Sequence, residues 1–281
     1  MFIPTKMANY NEELNALFDK WEKSYSKEEI PLFCRDGLLL KAPSLKIDVG
    51  SLWSKAKRRV AFVLEENQSG EKDEFGNIIA GGHDIRKWLY KPEVQSLRKT
   101  FLQRIAELLE ALLYLTDDNS RKGTYSFQNV HDNMELKKKV FNTEPFAFIE
   151  AKKLVGTPDS YNSDILEYYM KRDMDYLKEE LEILKPNIIV CCGSDDVQFN
   201  FITEHYFPKI DDSNKMEYEH PGRYFKQKCC RWVYPEQKAI ILKSYHPSVR
   251  RRVEASAIFE RVISPFHGFL KNNPNFFESL E

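Results

Sequence analysis

The sequence predicts an α/β protein, a three-layer α/β/α sandwich built on a short central parallel sheet of four strands. Three observations carry that expectation. Four apolar runs, at 60–64 (VAFVL), 146–149 (FAFI), 187–192 (NIIVCC) and 239–242 (AIIL), are too short to be free helices and read as strands buried on both faces. The stretches between them carry apolar residues at helical spacing, the alternation expected of right-handed βαβ units. Each run also stops abruptly at a polar segment. In a parallel sheet those four ends share one edge, beyond which ligands of open α/β sheets bind.

Composition narrows the class. The chain has 281 residues, with 42 Lys and Arg against 43 Asp and Glu, so no global basic field exists and any nucleic-acid contact rests on a local patch. The five cysteines, Cys34, Cys191, Cys192, Cys229 and Cys230, form no CxxC pair. They read as reduced thiols of a cytoplasmic protein, the vicinal pairs as small core residues and not as zinc or iron–sulfur ligands. No metal and no cofactor is therefore expected. The N-terminus lacks a signal-peptide pattern and no apolar run reaches bilayer length, so the expected protein is soluble, has no membrane partner and is a monomer.

Taken in order, residues 9–27 place Leu14, Leu17, Phe18 and Trp21 on one helical face, with Asn9 or Asn11 as cap. Residues 31–49 are irregular. Residues 1–54 are thus expected as a helical N-terminal extension to an α/β domain at 55–281. After the strand at 60–64 comes Glu65-Glu66-Asn67-Gln68-Ser69-Gly70, then a loop at 71–83 with Gly76, Gly81 and Gly82, read either as a binding loop or lid or as a disordered segment. Residues 91–115 predict one helix and 134–140 a shorter one. The strand at 146–149 leads into Glu150-Ala151-Lys152-Lys153, and 163–184 predicts another long helix. The strand at 187–192 runs into Gly193-Ser194-Asp195, suited to a tight turn and a helix cap, and 211–228 reads as a polar insertion. The last strand gives way to Ser244-Tyr245-His246-Pro247-Ser248 and then Arg250, Arg251 and Arg252, before a closing helix at 254–270. Asn67, Lys153, Ser194 and His246 are expected to converge on one cleft.

Four landmarks in this order resemble the uracil-DNA glycosylase superfamily over residues 59–270. Asn67 matches the acid or amide of the first family loop, although Glu65 and Gln68 replace its usual Gly and Pro. Glu150 stands where several branches have Asn, and Lys153 matches their following Lys. Lys185-Pro186-Asn187 with its strand and Gly193 matches the third motif, and His246-Pro247-Ser248 matches the fourth. The resemblance implies hydrolysis of the N-glycosidic bond of a deaminated base in DNA, without metal. Asn67 would orient the water, with Glu66 an alternative activator, and His246 would donate to the departing base. Glu150, Lys153, Ser194 and Ser248 would line the base site, and Phe75 and Phe127 are either stacking rings for a flipped base or core residues. Val249 would wedge into the groove while two of the three arginines, Arg250 and Arg251 among them, meet phosphates.

Two other classes stay open on the sequence. One is a nucleic-acid-binding module that has lost catalysis, suggested by Glu65, Gln68 and Glu150. The other is an α/β protein handling a free nucleobase or nucleotide, suggested by the neutral charge balance. No G-x-G-x-x-G turn or P-loop follows any of the four strands, which sets dinucleotide and P-loop enzymes aside.

Overall fold

A computed structural model describes residues 9–116, 118, 126–157, 162–193, 196–220, 227–249 and 254–278. The strands are β1 (Gly37–Leu38), β2 (Val60–Glu66), β3 (Glu71–Lys72), β4 (Ile78–Ala80), β5 (Ala147–Lys152), β6 (Ile188–Cys192), β7 (Lys215–His220), β8 (Gln227–Tyr234) and β9 (Ala239–Ser244). The helices are α1 (Tyr10–Lys23), α2 (Val49–Lys55), α3 (Pro92–Gln95), α4 (Thr100–Tyr114), α5 (Phe127–His131), α6 (Met134–Thr143), α7 (Ser163–Arg172), α8 (Met174–Leu184), α9 (Val197–Phe201) and α10 (Ala255–Asn272).

The four apolar runs are β2, β5, β6 and β9, and they are parallel neighbours in the order β5-β2-β6-β9. The sheet, however, has seven strands, in the order β1-β5-β2-β6-β9-β8-β7, and not the four expected. The additions are antiparallel: β1 lies beside β5, and β8 and β7 extend the sheet beyond β9. The region read as a polar insertion is therefore partly strand. Its sequence in β7, KMEYEH, alternates charged and apolar residues, the pattern of an edge strand with one solvated face and not of a central one.

Strand parity divides the core. Phe62, Leu64, Phe148, Val190 and Leu242 face one layer, where Ile105, Leu109 and Leu112 of α4, Phe141 of α6 and Val262 and Phe266 of α10 cover them. Val63, Ile149, Cys191 and Ile241 face the other, under Phe18 and Trp21 of α1, Trp53 of α2 and Leu177 and Leu181 of α8. The N-terminal residues thus supply a strand and a covering helix to this second layer. Asn9 caps α1, its side chain accepting from the Glu12 N–H at 3.4 Å.

Two expected long helices are broken. The periodic stretch at 91–115 is divided into α3 and α4, with Leu97 held at φ 52° between them. The stretch at 163–184 divides into α7 and α8 at Asp173, where the buried carboxylate accepts from the Tyr25 hydroxyl at 2.5 Å and pairs with Arg172. Apolar periodicity runs through both breaks, so it does not report them. The glycine-bearing loop is a hairpin, β3 and β4 joined by a turn in which Asp73 accepts from the Phe75 and Asn77 N–H groups. Its base closes through Gly81 at φ +122°, where a Cβ would stand 2.4 Å from the Ser69 carbonyl oxygen. Among the described residues no helix is long and apolar enough to cross a membrane.

Candidate active site

At the carboxyl ends of β2, β5 and β9 opens a cleft of about 440 Å³, within the range of small-molecule sites. Parity decides which residues reach it. Leu64 is paired in register with Glu150, and Glu66 with Lys152, and Phe148 stands two residues before Glu150 on the same face. Leu64, Glu66, Phe148 and Glu150 accordingly line the cleft, together with Asn67, His246 and Ser248. Lys153 has the opposite parity. It is fully buried beneath the other layer, paired with Asp36 at 2.7 Å and Glu180 at 2.8 Å and lying over the Trp21 ring, so it does not reach the cleft. Burial opposes its charge, but Asp36 and Glu180 outweigh that and hold the ammonium above its usual range.

Asn67 is fixed by its backbone, its carbonyl accepting from the Gly156 N–H at 2.8 Å, which ties the loop after β2 to the loop after β5. Its side-chain amide makes no hydrogen bond with the described residues, and the residue lines the cleft. Glu66 beside it is buried and ion-paired with Lys152.

His246 is held from three sides. Its ring stacks on Phe101 with centroids 6.0 Å apart, and its carbonyl accepts from the Val249 N–H. Arg104 of α4 donates to the carbonyls of Pro247 and Val249 on either side of Ser248. The Ser248 backbone N–H points at His246 Nδ1 at 3.3 Å, and the Ser248 hydroxyl lies 2.6 Å from the same nitrogen. A backbone amide can only donate, so Nδ1 is the acceptor and the ring proton sits on Nε2. Burial lowers the imidazole to about 4, which keeps it neutral at physiological pH.

Glu150 is 4% exposed, and its Oε2 has no hydrogen-bond partner among the described residues. Burial, reinforced by the nearby Asp36 carboxylate and only partly offset by Lys153, pushes its carboxyl up to about 8. At neutral pH the cleft thus contains a carboxylic acid and a neutral histidine, two groups whose environments move them in opposite directions.

The two aromatic candidates lie elsewhere. Phe75 is at the tip of the β3–β4 turn, 82% exposed, and Phe127 packs between His131 and Phe259. The rings that do line the cleft are Trp88, Phe101 and Phe148, with Lys91 and Lys99 among them and the Lys99 ammonium 5.5 Å from the Trp88 ring centre. Phe101 and Phe148 read as core from periodicity, and they are core on their inner edges. Trp88 had one available signal, a tryptophan between charged residues in a segment without periodicity. Val249 is partly buried against the core. Ser194, Arg250 and Arg251 lie outside the described residues.

The molecule is thus a parallel-centred α/β sandwich whose strand ends surround a cleft holding a neutral histidine, the Asn67 amide and aromatic walls. A family model described as the Uracil DNA glycosylase superfamily matches residues 86–266, more than half of the chain. The protein belongs to the uracil-DNA glycosylase superfamily. Glu150, His246 and Ser248 fall inside the matched span, and Glu66 and Asn67 precede it. No curated protein matches the chain.

Proposed function

We propose that the protein is a DNA glycosylase that hydrolyses the N-glycosidic bond of a deaminated base. The observation that carries this reading is the meeting of Asn67 and His246, 179 residues apart in sequence by their numbers, on one cleft walled by Phe101, Phe148 and Trp88. Cleavage leaves negative charge on the base and oxocarbenium character on the sugar. The Nε2–H of neutral His246 is a preorganised donor for the first, and it acts without transferring its proton. The Asn67 amide orients a water toward the second, where positioning matters more than base strength because the centre is already electrophilic. The aromatic walls suit a base taken out of the helical stack. Lys91 and Lys99 supply the local cations that the neutral whole-chain charge lacks.

Incubation with duplex and single-stranded oligonucleotides containing uracil or hypoxanthine, followed by alkaline strand scission, tests the activity. The wild type is expected to produce abasic sites, and His246→Ala to slow single turnover by roughly 10²–10³-fold, the usual cost of removing one such donor. Absence of abasic sites from every substrate would end the proposal.

A second reading, a site for a free nucleobase or nucleotide, is favoured by the exposed carboxylates of Glu71 and Glu74 on the hairpin adjoining the cleft, where DNA phosphate would be repelled. It predicts thermal stabilisation by free bases with no salt-dependent binding to DNA.

A further inference from the structure

The charge state and position of Glu150 have a role that a hydrogen-bonding histidine cannot fill. His246 can polarise a departing base but keeps its proton, so the base must leave as an anion unless another group protonates it. Glu150 lies on the cleft face of β5, one strand from Asn67 and level with Leu64, and its Oε2 is buried with no hydrogen-bond partner among the described residues. A buried carboxyl with an idle oxygen in a cavity is costly unless something in that cavity uses it. We infer that Glu150 is a second catalytic residue, a general acid that protonates the departing base, an inference that rests on the glycosylase reading above.

Burial first, and the charged surroundings after it, explain how the acid keeps its proton. Asp36 accepts the Glu150 backbone N–H at 2.5 Å, and it shares the Lys153 ammonium with Glu180. Glu65 and Glu66 at the end of β2 oppose a further negative charge, and Lys152, the other cation on the strand, is engaged by Glu66. The cleft is also lined by His246, which is neutral, and by His83, Lys91 and Lys99. With burial added, the proton is retained up to pH about 8.

In the reaction the bond between the sugar carbon and the base nitrogen breaks, and its electron pair goes to the base. The Glu150 O–H proton passes to a lone pair of the base, leaving a carboxylate. Water adds to the sugar carbon and releases one proton to solvent, and Glu150 regains a proton from solvent once the neutral base has left. Such an acid matters most for bases whose anions leave poorly. It also extends the substrate class from pyrimidines to purine lesions such as hypoxanthine, whose basic N7 can take the proton.

The test compares single-turnover release of uracil and of the more acidic 5-fluorouracil from otherwise identical oligonucleotides, by the wild type and by Glu150→Gln, with circular dichroism verifying the fold. The expected result is a loss of at least about 100-fold on uracil and under about 10-fold on 5-fluorouracil, since a good leaving group needs no acid. A second measurement needs no variant: wild-type release of uracil should fall about tenfold per pH unit above pH about 8. Equal losses on both bases, or a wild-type rate that is level from pH 7 to 9, would overturn the acid while leaving the glycosylase standing. No release of either base by the wild type would overturn the glycosylase reading, and the acid with it.

Discussion

At the scale of single residues, the site is defined by what each environment does to a proton. His246 is neutral because burial opposes its charge, and Nδ1 accepts from the Ser248 amide, so its Nε2–H is available to donate in the form present across the physiological range. The sign follows: lowering the imidazole to about 4 means that no change in its charge occurs near pH 6.5, the ordinary value for histidine. A profile of kcat/KM on a uracil substrate should therefore be level between pH about 5.5 and about 7.5, and a decline through pH 6.5 would show that the imidazolium is required. That Asn67, Glu66 and His246 lie at the cleft could be read from the sequence because each closely follows the apolar run of a central strand. Phe75 and Phe127 were not placed correctly as cleft rings by residue type alone. An aromatic side chain carries no sequence mark that distinguishes a hairpin tip or a helix interface from a cavity wall.

At the scale of elements, the loop after β9 is positioned by a helix far away in sequence. Arg104, one turn into α4, is buried and donates to the carbonyls of Pro247 and Val249, so it closes the loop over His246 while Phe101 on the same helix supplies the stacking partner. Arg104→Ala removes charge-assisted hydrogen bonds worth about 1.5–3 kcal/mol each and leaves two loop carbonyls without them. It should lower thermal stability, and it should reduce kcat more than it raises KM, because the displaced group is His246 and not a ground-state binding group. Unchanged kcat in a folded Arg104→Ala protein would show that the loop holds itself. Helical spacing in 100–114 announced the apolar face of α4, and it said nothing about which polar residue would reach across to a loop at 246–249. That contact depends on tertiary packing, as does the break at Asp173, where the Tyr25 hydroxyl supplies what local sequence does not.

At the scale of the whole molecule, the four central strands could be read directly because burial on both faces demands unbroken apolar runs. The flanking strands could not. Only two residues form β1, and β7 and β8 mix charge with apolar residues, β7 as an edge strand with one solvated face. The N-terminal segment likewise gave up its helix but not its place, which is to cover one layer of the sheet with Phe18 and Trp21 and to deliver Asp36 to the buried Lys153. That layer lies on the sheet face away from the cleft, yet through Asp36 it sets the charge beside Glu150, so the two faces of the sheet meet electrostatically at the end of β5. The central claim is that the cleft between Asn67 and His246 receives a base turned out of DNA. The most direct measurement is a crystal structure of Asn67→Ala bound to an oligonucleotide carrying a single uracil. The expected density places the uracil ring in the cleft against Phe101 and Trp88, with an exocyclic oxygen within hydrogen-bond distance of His246 Nε2. Density showing the uracil still stacked in the nucleic acid, with the oligonucleotide bound on another face, would contradict it.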